Sequence, residues 1–173
     1  MMAKKSQSGR SMIEILAVLA LIGFLSMAVV QGYQYAIFRY RVHQTFNQIS
    51  VAVAGARTTN LETLNPSDLK KDRDGNTFIP VRYIISDVNF HPTNEYVFIT
   101  PLHAEVGVYR DPNGIWRVQI NYTDKMDFDD CKTLILSPVA ETGIGYQDKI
   151  YAQEYLRENE AKLKEICDYY TSE

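Results

Sequence analysis

The chain predicts an α+β fold: one long N-terminal helix whose second half packs on a small antiparallel β-sheet, followed by a helical C-terminal region. Three observations carry this expectation. From Ser11 to Val30 the sequence is an apolar run with one charge, Glu14, and beyond Gly32 the apolar residues recur every three or four positions. Between Thr77 and Thr123 come four segments rich in Val, Ile, Phe and Tyr, the last two separated by the turn sequence Asp111-Pro112-Asn113-Gly114. The last twenty or so residues combine leucine and isoleucine at helical spacing with many Glu and Lys, the pattern of an amphipathic helix.

The apolar run sets the first element. About twenty residues at about 1.5 Å per residue are enough helix to cross a hydrocarbon core of about 30 Å. Glu14 is the single charge in the run. An ionisable side chain at mid-bilayer costs on the order of 2.5–3.5 kcal/mol, and less near an end, so it calls for a partner. Arg10 lies one helical turn before it, but such an i, i+4 contact contributes only a few tenths of a kcal/mol when exposed.

The helix is expected to continue past the apolar run. Tyr35, Phe38, Val42, Phe46, Ile49 and Val53 form a stripe, with Arg39, Arg41, Gln44, Asn47, Gln48 and Ser50 on the other faces. One helix from about Ser11 to Arg57 would be about 70 Å long, with only Gly32 as a weak break. Tyr33, Tyr35, Phe38 and Tyr40 follow the apolar run directly, as an interfacial aromatic belt does. A helix greasy on every side must be buried in lipid or in copies of itself.

The stretch from Thr58 to Asn76 is polar and turn-rich, and reads as a surface connection with one helical turn begun by Pro66 and Ser67. Asp72, Asp74 and Asn76 alternate like calcium ligands, but Gly75 is misplaced for such a loop and Tyr83 stands where the closing Glu would be. A turn is the expected outcome. Strands are predicted over 77–86, 95–100, 104–110 and 115–123, the last two as a hairpin. A short helix presenting Cys131 is expected within 124–136, a loop over 138–147, and a terminal helix over 151–169.

At 173 residues there is room for one membrane segment and one domain of roughly 115 residues. The formal net charge of -3 is unevenly divided. Up to Arg57 there are Lys4, Lys5, Arg10, Arg39, Arg41 and Arg57 against Glu14 alone, a balance of +5, which leaves 12 basic and 20 acidic residues, or -8, for the remainder. Such an acidic domain is a poor electrostatic match for nucleic acid. Cys131 and Cys167 are the two cysteines, and an even count beyond an export-type segment suggests a disulfide in an oxidising compartment, closing a loop that contributes roughly 3–4 kcal/mol. The competing readings are a catalytic thiol or a metal site; His43, His91 and His103 are the only histidines, none lies near either cysteine in sequence, and no zinc-type spacing occurs.

The segment Ser8-Gly9-Arg10-Ser11-Met12-Ile13-Glu14-Ile15-Leu16-Ala17-Val18-Leu19-Ala20-Leu21-Ile22-Gly23 resembles the prepilin start shared by type IV pilins and the pseudopilins of type II secretion. The resemblance covers about 25 residues and implies a great deal. Met1 to Gly9 would be a basic leader removed by a membrane-embedded prepilin peptidase, with Arg10 the first mature residue and the site of N-methylation. Glu14 would neutralise the terminal amine of a neighbouring subunit during assembly. Residues 10–32 would form the transmembrane and filament-core helix, 33–57 its amphipathic continuation and 58–173 the globular pilin domain. A Cys131–Cys167 disulfide would staple the C-terminal region. The implied partners are further copies of the chain and an assembly platform in the bacterial inner membrane, where the subunit would sit as a single pass with a cytoplasmic amino terminus before joining an extracellular or periplasmic filament. Arg10 departs from the family's usual phenylalanine, and Gln31 stands where many members have proline.

The expected function is therefore a structural subunit of a type IV pilus-like filament, with a type II secretion pseudopilin as the alternative within the class. From another class, a membrane-anchored periplasmic binding domain that never polymerises fits the same segment. So does a secretory signal with an apolar core over Ile15–Leu25 and a small-residue site at Ser26-Met27-Ala28. No enzyme activity, cofactor or metal is expected: phosphate-loop, Gly-x-Ser-x-Gly and His-Glu-x-x-His motifs are absent. The adjacent carboxylates Asp129 and Asp130 point to different faces of a helix and read as a solvated helix start.

Overall fold

The computed structural model describes residues 8–137, 144–146 and 149–171. Helix α1 spans Ser8–Thr58, 51 residues without a break at Gly32. Two single turns of 3₁₀ helix follow, at Leu61–Thr63 and Pro66–Asp68. Then come β1 (Lys70–Lys71), β2 (Thr77–Phe78), a third 3₁₀ turn (Val81–Tyr83), β3 (Asn89–Phe90), β4 (Val97–Ile99), β5 (Glu105–Arg110) and β6 (Trp116–Asn121). The chain ends in α2 (Phe128–Ile135), β7 (Ile144–Tyr146), β8 (Lys149–Tyr151), α3 (Gln153–Glu158) and α4 (Glu160–Thr171). This is the expected α+β layout, with the chain dividing into one compact unit up to Tyr40 and another from Arg41 onward.

The first unit is helix alone. Over Met12–Val30 every large apolar side chain is more than half exposed. By length and composition this helix can cross a membrane.

The second unit closes its own core. All the strand pairs are antiparallel, and β5 is the hub: β6 runs along one edge, while β4 and β2 share the other. The 115–123 hairpin prediction holds, because Asp111 organises the turn. Its carboxylate accepts from the Ile115 N–H at 2.8 Å, its carbonyl accepts from the Gly114 N–H at 2.9 Å, and Gly114 takes φ +85°, which glycine adopts without a Cβ penalty.

The α1 face that meets the sheet is rotated from the expected stripe. Thr45, Ile49, Ala52 and Ala56 are fully buried, whereas Val42, Phe46 and Val53 are half-buried. Small residues win because the 3₁₀ segment approaches the helix backbone closely. A Cβ on Gly55 would fall 2.9 Å from the carbonyl carbon of Ile84 and closer still to its oxygen. Ile49, Ala52 and Ala56 join Ile79, Val81, Ile84, Phe98, Val106 and Val108 in one apolar cluster.

Three further expectations are corrected. The run 77–86 is not one strand: Pro80 cannot donate to a ladder, and the chain turns into 3₁₀ helix with the Val81 N–H donating to Glu95 O at 2.8 Å. Ile144–Tyr146, expected as loop, pairs with Lys149–Tyr151, so Tyr151 ends a strand rather than beginning the terminal helix. The terminal helix is divided at Asn159, whose side chain accepts from the Lys162 N–H at 3.1 Å and so caps α4.

Candidate functional site

Two surfaces carry the candidate chemistry. The first is the exposed N-terminal part of α1. Gly9 and Arg10 lie on its first turn, and the side chain of Arg10 is outside the described residues, as are Met1–Gln7 of the expected leader. Glu14 is exposed and forms no ion pair among the described residues. Around it Met12, Ile13, Ile15, Leu16, Val18 and Leu19 all face outward.

Cys131 and Cys167 form the expected disulfide, which joins α2 to α4. The bond brings the last helix against a region where buried charge gathers. The Asp127 side chain caps α2 by accepting from the Asp130 N–H at 2.8 Å. Asp129 is exposed, but Asp130 is only 1% exposed, a correction to its expected place on a solvated helix start. Its Oδ2 lies 3.6 Å from the Arg41 guanidinium and 4.0 Å from His103 Nδ1. Arg41 and Gln48, expected on the solvent side of α1, are instead half-buried on the side where Thr45 is buried. Burial pushes the Asp130 carboxyl above its ordinary range, with Asp127 adding to the rise; Arg41 and then His103 oppose it.

The alternating acids prove to be a turn. Asp72 Oδ1 accepts from the N–H groups of Asp74 and Asn76, each at 2.9 Å, and Oδ2 accepts from the Asn76 amide at 2.8 Å. These bonds, that of the Asn76 side chain foremost, hold the Asp72 carboxyl below its ordinary range. Among the described residues, no three His, Cys, Asp or Glu side chains come together as metal ligands.

The second surface was not anticipated. At one end of the sheet a cleft of about 670 Å³ is lined by residues that follow β3, end β4, begin β5, follow β6 and end α4. Ile99, Glu105 and Asn121 are direct cross-strand partners, so they share the sheet face opposite Phe98, Val106 and Ile120. His91 holds Glu105 at 3.1 Å through Nε2, and its Nδ1 accepts from the Asn94 N–H at 3.0 Å, which fixes the ring's tautomer. His103 lies in the β4–β5 turn at φ 61°, with its carbonyl accepting from Thr123 Oγ1 at 2.8 Å. Tyr170 closes the cleft from α4, its ring 5.3 Å from that of Tyr122. Burial raises the Tyr122 phenol above its ordinary range. His91 and His103 are far from Tyr170 in sequence, and no motif linked them; the disulfide three residues before Tyr170 was the one available signal that α4 returns to this region.

No family model, curated protein or solved structure matches the chain.

Proposed function

We propose that the chain is a structural subunit of a type IV pilus-like filament, cleaved after Gly9 and polymerised through the N-terminal part of α1. The observation that carries this reading is the pairing of an exposed apolar helix, from Met12 to Val30, with one carboxylate placed near its start at Glu14. A folded domain with its own core has no need of that surface for its stability. Lipid can cover it in the unassembled subunit, and other copies of the same helix can cover it in a filament. Both environments exclude water, and only the second offers Glu14 a cation at a defined height.

In a low-dielectric bundle an unpaired Glu14 is costly, while the amine of Arg10 from a neighbouring copy would compensate it. The pairing would set the axial register of one subunit against the next. Lipid insertion has a different demand, since a carboxylate near a helix end reaches the interface at modest cost. The same residue therefore separates anchoring from assembly.

Glu14→Ala tests this directly. The variant is expected to enter the membrane normally and to form no filaments by electron microscopy of the producing cells; normal filaments would reject the role of the carboxylate. Amino-terminal sequencing of the mature protein is expected to begin at Arg10, whereas a start at Val29 would point to ordinary secretion. A mature chain that begins at Arg10 but bridges a secretion channel in the periplasm, without surface fibres, would identify the pseudopilin alternative.

A further inference from the structure

We propose that the cleft between the sheet end and α4 binds a neutral oligosaccharide. This function is separate from polymerisation and uses none of the residues assigned to it. The volume of about 670 Å³ lies within the range of small-molecule sites, and it would accept a few sugar rings.

The lining has the two properties that a sugar requires. A pyranose ring has an apolar C–H face, and Tyr122 and Tyr170 supply aromatic surface in the cleft wall. Its hydroxyls both donate and accept hydrogen bonds, so the site must offer both kinds of partner. Glu105 and Asp124 accept, Lys125 donates, and Asn121 does both. Glu105 is held in place by His91, and the Asn121 amide by Gln119, whose Nε2 donates to its Oδ1 at 3.0 Å, so these groups are positioned before a ligand arrives. The Cys131–Cys167 bond likewise ties the helix that carries Tyr170 to α2.

Other ligand classes fit less well. Two carboxylates against one lysine repel phosphate and other anions. Among the described residues no three metal-ligating side chains come together, and His91 uses both ring nitrogens on protein partners. A purely apolar ligand would cover the half-buried Glu105 and Asn121 without replacing their water.

The test uses the full chain in phosphocholine micelles, which contain no sugar head group, and titrates maltotriose, cellotriose and triacetylchitotriose. Binding is read by saturation-transfer NMR and calorimetry. At least one trisaccharide is expected to bind, with little dependence on salt, since the ligand is uncharged. Tyr170→Ala and Glu105→Gln are each expected to weaken that binding about tenfold or more, with the melting curve recorded as a folding control. Asp124→Ala, at an exposed position, supplies the same readout if either of those variants fails to fold. Binding of none of the three sugars overturns the proposal. So does binding that survives the substitutions, or a sugar displaced by inorganic phosphate.

Discussion

The helix up to Tyr40 and the unit from Arg41 onward place the same residue types under opposite conditions. In the first, Ile13, Leu16, Leu19, Leu21 and Phe24 are all more than half exposed; in the second, Ile79, Phe98, Val106, Leu134 and Ile166 are fully buried. Burying a Leu or Phe side chain contributes about 1.5–3 kcal/mol wherever the covering atoms come from. In the second unit those atoms belong to the chain itself. In the first the described residues supply none, so its apolar side chains add nothing to the core of the second unit.

Matched substitutions test that contrast, and Phe98→Ala is expected to have the largest effect. It should destabilise the second unit by about 3–5 kcal/mol in thermal or urea unfolding, because Phe98 is fully buried in the main cluster. Removing the disulfide with Cys131→Ser and Cys167→Ser together should cost about 3–4 kcal/mol, since the bond closes a sequence separation of 36 residues. Gly55→Ala should cost about 1–3 kcal/mol by forcing α1 away from the Ile84 backbone. Leu19→Ala, on the exposed helix, should change unfolding of the second unit by less than about 0.5 kcal/mol. An unfolding change for Leu19→Ala comparable to that for Phe98→Ala would remove the distinction between the two regions.

For Asp130 the sign of the effect, more than its size, is informative. Its carboxyl is raised on folding, chiefly by burial and then by Asp127, against the opposing pull of Arg41 and His103. An ionised group of this kind opposes folding. The cost is absent below the ordinary carboxylate range and fully present once the pH exceeds the folded value. As pH falls through that window, the native chain should therefore gain stability relative to Asp130→Asn. Asp111 and Glu160 work in the other direction. The Ile115 backbone N–H lowers the first, with Arg117 adding, and the Lys132 ammonium lowers the second, so their stabilisation is lost as pH falls through their depressed values. Parallel titration of the Asp111→Asn and Asp130→Asn variants should thus show opposite pH trends relative to the native chain.

Local signals were sufficient where one short stretch controls the outcome. The Asp111-Pro112-Asn113-Gly114 turn and the helix presenting Cys131 are both in place, since a capping carboxylate or a permissive glycine acts within four residues. Two misread elements had legible markers. Pro80 within 77–86 argues against a strand, and Asn159 followed by Glu-Ala-Lys is a helix-start pattern. The face of α1 was harder, because Val42, Phe46 and Val53 are more apolar than Thr45, Ala52 and Ala56. Which stripe packs inward depended on the backbone at Ile84, 29 positions beyond Gly55.

The sequence alone determined the division of labour: an apolar helix with a single carboxylate, its amphipathic continuation, and an acidic domain with two cysteines. It did so because hydrophobic periodicity, turn chemistry and charge balance are properties of neighbouring residues. Tertiary structure decided which small residues of α1 meet the sheet, that Asp130 is buried beside Arg41, and that His91, Glu105, Asn121 and Tyr170 share one cleft. Those outcomes depend on strand register and on the helix returned by Cys131–Cys167, and register joins residues that no local pattern relates.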